Sequence, residues 1–229
     1  MATAKHLRLV DGGRERLVVS NLDPAPVAKH VREHLAVTNT LPRFFRRGRN
    51  VVRIHRIGDG VELAFEALDE KRWEYVVQEA FLCVRPRNET FVSVPCPTAL
   101  ANHLSCSDHE GLPYVDSFAY APFFARDGTL CATPGYHPCA KRYLVDRGGL
   151  CASLREHPIP TSPSGADVVA ARAVLEDLYV DFPFRDTSDE TGAASRAHAF
   201  AATFHDFVRD LIDGMTPMHY FRAPGPADG

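Results

Sequence analysis

The sequence predicts an α+β protein: a small mixed sheet with flanking helices, followed by a helical C-terminal portion. Three observations point there. Apolar residues at the 3, 4 spacing of helices alternate with short β-branched and aromatic runs in the first two thirds. Helical spacing alone takes over after residue 165. A stretch rich in proline and serine, HPIPTSPSG at 157–165, separates the two regimes. A chain of 229 residues with 45% hydrophobic side chains is large enough for one large domain or two small ones.

The elements follow in order. RLVVS (16–20) reads as a strand leading into a helix in which Asp23 caps, Pro24 takes the first helical position, and Val27, Ala28, Val31 and Leu35 form one apolar stripe. FFRRGRNVVRIHRI is expected to be a hairpin turning at Gly48, Arg49 and Asn50, and ELAFEAL alternates like a further strand. Asp69 caps the next helix, whose face is Trp73, Val76, Val77 and Ala80; the strand FLCVR follows. CPTALANHL is a short helix with Pro97 near its start. Residues 115–136 read as two extended segments around an Asp127 and Gly128 turn, with Pro122 confining the first to an edge or a bulge. Two helices remain. The first, from Gly165, is ended by Pro183; the second runs 197–212 with Phe200, Phe204, Phe207 and Leu211 on its apolar face and Gly214 as its stop. The expected domains are therefore 1–156, mixed α/β with a basic hairpin, and 166–229, helical and leading to a strand at 218–223 and a loop at 224–229, with 157–165 as linker.

No apolar run approaches the roughly 18 residues that span a bilayer, and the first residues lack a signal core. The expected location is the cytoplasm, where the six cysteines stay reduced thiols. A net charge of −3 excludes a global pull toward polyanions, so nucleic-acid binding has to come from a local patch. Such a patch exists. RFFRRGRNVVRIHR holds Arg43, Arg46, Arg47, Arg49, Arg53 and Arg56 with no acid among them, and Phe44 and Phe45 are interleaved as faces on which unpaired bases can stack. The competing role for these arginines is pairing with Glu62, Glu66, Asp69, Glu70 and Glu74 of the following segment.

Cys106, His109, His137 and Cys139 are the metal candidates, with ligand softness suited to zinc if the fold joins the two short motifs, and with Cys131 as a rival thiol. No other cofactor is expected. The chain has no Asp-x-Asp pair for two-metal phosphoryl transfer and no Gly-x-Ser-x-Gly elbow, and Asp108 with Glu110, or Asp181 with Asp186, read as turn and capping residues.

The order LPYVDSFAYAPFFARDGTLCATPGYHP, LEDLYVDFPF, then SRAHAFAATFHDFVRDLIDGMTPMHYFRAPGPADG resembles the region upstream of the P-loop in replication ATPases of phages and other mobile elements, proteins akin to primase-helicases. Members of that family show Gly-Tyr-Asp where this chain has Gly135, Tyr136 and His137, an aspartate followed by Phe-Pro-Phe as at 181–184, and a helix that reads into Thr-Pro and the ATPase core. The resemblance spans most of 41–229. It implies a nucleic-acid-engaging or accessory region in DNA replication, without catalysis of its own because Gly-Lys followed by Ser or Thr is absent, and with single-stranded DNA and an ATPase domain or replication partner as partners. A stand-alone protein-interaction module, docking through the Phe200 and Phe204 helix, and a zinc domain or zinc-dependent enzyme are the alternatives.

Overall fold

The computed structural model describes residues 10–11, 14–19, 23–58, 62–182, 184 and 192–215. The expected strand and loop at 218–229 lie outside them. The chain is α+β, and it divides into two compact units, Met1–Asp116 and Ser117–Gly229. The 157–165 stretch lies inside the second unit.

In the first unit, β1 (Val10–Asp11) and β2 (Arg14–Val18) precede α1 (Ala25–Thr38). The three strands β3 (Phe44–Arg47), β4 (Asn50–Ile57) and β5 (Glu62–Ala67) form an antiparallel meander. Then come α2 (Glu70–Ala80), β6 (Phe81–Arg87), β7 (Thr90–Ser93) and α3 (Thr98–Cys106). A second sheet has the order β1-β2-β6-β7, with β2 and β6 parallel.

The helix signals act as the sequence indicates, with one shift. Asp69 accepts a hydrogen bond from the Arg72 N–H at 2.9 Å and starts α2. Pro24, expected as the first helical residue, instead occupies the cap position of α1, and Asp23 Oδ1 accepts from the Ala25 N–H at 3.0 Å. The stripe Val27, Ala28, Val31 and Leu35 is buried as its spacing requires, together with Trp73, Val76 and Val77 of α2 and Leu100, Ala101 and Leu104 of α3. β7 has no counterpart in the sequence reading, because all four of its residues are exposed and leave no burial pattern.

The second unit opens with β8 (Ser117–Ala119), β9 (Phe123–Phe124), β10 (Leu130–Cys131), β11 (Gly135–His137) and β12 (Arg142–Leu144). β9 and β10 are the expected pair around Asp127 and Gly128: Asp127 Oδ1 accepts from the Thr129 N–H at 2.9 Å, and Gly128 has φ +84°. β12 lies between β11, antiparallel, and β8, parallel. Phe123, Ala125, Cys131, Leu144 and Cys151 form the core of this unit.

α4 (Leu150–Glu156) buries Cys151 in a stretch read from sequence as the approach to the linker. α5 (Gly165–Leu178) begins with a reciprocal capping box between Ser164 and Asp167 and ends before Pro183 is reached. α6 (Ala193–Val208) passes into a 3-10 turn at Arg209–Leu211, so the expected helix tightens in its last turn. Tyr179 links the two: its ring meets Phe200, Phe182 and Phe184, and its hydroxyl lies 2.5 Å from Thr203 Oγ1. A Cβ at Gly192 would stand 2.6 Å from the Phe184 carbonyl oxygen, so only glycine fits there. The apolar face expected on α6 is only partly covered; Ala199 is its buried residue, and Phe204, Phe207, Leu211 and Ile212 remain exposed.

A candidate nucleic-acid interface on the arginine hairpin

β3 and β4 meet through a two-residue turn, Gly48 and Arg49; Asn50, expected in the turn, is instead the first residue of β4 because it pairs with Arg47. Gly48 has φ +60°, the left-handed geometry that hairpin turns demand and glycine supplies without strain. The Gly48 N–H donates to the Tyr114 hydroxyl at 3.4 Å. Along the outer edge of β3, Arg46 N–H donates to the Pro113 carbonyl at 2.8 Å and Val115 N–H to the Arg46 carbonyl at 2.9 Å. The β3 side of the hairpin tip is thus held by the 113–115 segment, through two backbone bonds and the Tyr114 hydroxyl.

Register sorts the candidate residues. Phe44, Arg53 and Glu66 lie opposite one another in a row across the three strands. Arg53 Nε donates to Glu66 Oε2 at 2.6 Å, the other carboxylate oxygen accepts from Arg72 Nε at 2.6 Å, and Arg72 also pairs with Asp69. Burial disfavours ionised Glu66, but the hydrogen bonds from Arg72 and Arg53 outweigh it and hold the carboxyl below the usual glutamate range. Arg46 Nε donates to the Leu112 carbonyl at 3.1 Å, and its Nη1 stands 4.0 Å from Asp108. Arg53 and Arg46 are therefore engaged within the protein.

Phe45 is fully buried, at 0% exposure, and offers no face for stacking. Phe44 is half-buried against the core, its N–H donating to Asn39 Oδ1 at 3.2 Å. The exposed arginines are Arg43, Arg47, Arg49 and Arg56. Arg47 and Arg56 fall on the strand face that also carries Phe65, and the Arg47 guanidinium lies over the Phe65 ring, 5.0 Å from its centre. Arg47 Nε also donates to the Asp116 carbonyl at 3.3 Å. Arg49, at the tip, makes no ion pair among the described residues. Arg43 borders a cleft of about 410 Å³ between the C-terminal ends of α1 and α2, walled by Leu35, Phe44, Val76 and Ala80.

Phe65 and Tyr114 were missed from sequence. Phe65 was legible only as one residue of the alternating ELAFEAL run, and Tyr114 reaches Gly48 from 66 positions away.

The metal candidates fall in two separate parts of the fold. His109 is buried, stacked on Trp73 with ring centres 5.0 Å apart, and its Nε2–H donates to the Leu104 carbonyl at 2.8 Å. Burial holds its imidazole below the usual histidine range. Cys106 and His109 belong to the first unit, His137 and Cys139 to the second. His137 Nε2–H donates to the Thr133 carbonyl at 2.7 Å, and Cys139 lies beside Cys131. Among the described residues, no group of three or more His, Cys, Asp or Glu side chains is placed to hold a metal ion. No described helix is long and apolar enough to cross a membrane.

No protein-family model matches the chain, and no curated protein or solved structure is significantly similar to it.

Proposed function

We propose that the hairpin of β3 and β4 holds an unpaired nucleic-acid strand, DNA in the first instance, and that the chain acts as a substrate-engaging, non-catalytic region of a phage or mobile-element replication ATPase of the primase-helicase kind. One observation carries this reading. Glu66 and Asp69 neutralise Arg53 and Arg72, while Arg47 and Arg49 stay exposed at the tip, with Phe65 beneath Arg47. Guanidinium groups over an aromatic ring supply both phosphate contacts and a stacking plane, which is the chemistry of single-strand binding. The motifs at 112–138 and 175–184 support the replication context.

Anisotropy of a fluorescent oligothymidylate at low salt tests it. The double reversal Arg47→Glu with Arg49→Glu is expected to weaken binding at least tenfold, whereas Arg172→Glu on α5, an equal change of charge per site, leaves affinity unaltered. Absence of binding by the unmodified protein, or equal weakening by Arg172→Glu, overturns the reading.

A second reading rests on α5, which buries none of its own residues and exposes Val168, Val169, Val174 and Leu178. An apolar face of that kind fits a protein-docking module. Retained binding of a partner by the Arg47→Glu, Arg49→Glu protein, with no oligonucleotide binding by either form, favours it.

A further inference from the structure

Six cysteines are free thiols, and they include two neighbouring pairs of very different access. Cys83 and Cys96 are both buried in the core of the first unit. Cys131 and Cys139 are not alike: Cys131 is buried at the end of β10, Cys139 is exposed in the turn between β11 and β12, and their sulfurs lie 3.7 Å apart. A disulfide bond is about 2.05 Å long, so the sulfurs need close by less than about 2 Å.

The local chain keeps them there. Cys131 pairs with Phe123 in the β9–β10 ladder. Between the two cysteines the chain reverses through Gly135, with φ +126°, and the His137 to Thr133 hydrogen bond tightens the reversal. Beyond Cys139, the Ala140 N–H donates to the His137 carbonyl, and Lys141 takes φ +53° to start β12. The Phe123 ring also carries the His137 ring at its edge and the Arg142 guanidinium at 5.3 Å from its centre. Cys131 is thus paired in the ladder beside Phe123, and Cys139 follows the turn that His137, on the edge of the Phe123 ring, begins.

We propose that Cys131 and Cys139 form a modification site for small peroxides, closing to an intrachain disulfide. Cys139 reacts first because it is the exposed thiol; burial, with Cys139 alongside, pushes the Cys131 thiol up to about 12. The Cys139 thiolate attacks one peroxide oxygen, the O–O bond breaks, and the departing hydroxide takes a proton to leave as water, with a sulfenic acid on Cys139. The Cys131 sulfur then attacks the Cys139 sulfur, the S–O bond breaks, and hydroxide leaves with the Cys131 proton as a second water. Two thiols lose two electrons and one peroxide becomes two waters. Cys83 and Cys96, shielded from a dissolved oxidant, serve as the internal comparison.

The test is brief exposure of the full chain to hydrogen peroxide, alkylation with iodoacetamide under denaturing conditions, and mass spectrometry of the tryptic peptide of residues 127–141, which contains both sulfurs. The expected peptide is unalkylated and about 2 Da lighter than its reduced form, while Cys83, Cys96, Cys106 and Cys151 carry the label. In Cys139→Ser, Cys131 is expected to stay alkylatable; in Cys131→Ala, dimedone is expected to trap the sulfenic acid on Cys139. Overturning results are full alkylation of both residues after peroxide, Cys139 recovered as sulfinic acid beside an alkylated Cys131, loss of the Cys131 label in Cys139→Ser, or no dimedone adduct in Cys131→Ala.

Discussion

His109 shows how a residue that reads as a ligand serves instead as core. Its Nε2–H is used by the Leu104 carbonyl, its ring lies against Trp73, and its Nδ1 is buried without a hydrogen-bond partner. Protonation would put a charge on that buried ring. The folded-state pKa lies below the unfolded one, so the unfolded chain binds the extra proton, and stability present above about pH 6.5 is lost as the pH falls from there toward the folded value. His109→Phe keeps the stack, and the Leu104 carbonyl still accepts from the Ser107 N–H. Urea titrations at pH 7.5 and 5.5 are expected to show the unmodified protein losing stability over that interval and His109→Phe losing about 1 kcal/mol less. Equal losses in both would show that His109 is not the titrating group.

At the scale of elements, what was legible in the sequence was whatever local signals decide. Asp69 capped α2, the stripe of α1 was buried, and Gly48 with Arg49 turned the hairpin. The strands β8 to β12, each two or three residues long, were less legible because so short a run carries no periodicity, and the parallel partner of β12, β8, lies about 25 residues upstream. For the candidate site, the density of arginine was visible, but its division was not. Which guanidinium faces Glu66 and which stays exposed depends on the β3-β4-β5 register, and the burial of Phe45 depends on packing that alternation alone does not show. Close approach between elements is likewise invisible in sequence. A Cβ at Gly111 would stand 2.8 Å from the Ala36 Cβ on α1, and so short a side chain cannot turn aside. Gly111→Ala is therefore expected to destabilise the protein by about 1–3 kcal/mol in denaturant unfolding, by forcing the loop off the helix. An unchanged midpoint would mean that the two elements separate freely.

At the scale of the whole molecule, the division into two units has a measurable consequence. The single tryptophan, Trp73, sits in the larger core of the first unit, whereas helices of both units contribute to circular dichroism. Guanidinium transitions followed by fluorescence and by far-ultraviolet dichroism are expected not to coincide, with the fluorescence transition at higher denaturant. Superimposed curves would show one cooperative unit.

The proposed role of the chain depends on phosphate contacts at the hairpin tip. Their most direct measure is the salt dependence of oligothymidylate affinity, because each phosphate neutralised on a single strand adds about −0.7 to the slope of log Kobs against log salt concentration. The account predicts that Arg47→Glu with Arg49→Glu reduces the magnitude of that slope by about 1.4, two contacts' worth. A slope unchanged by the double reversal would contradict it.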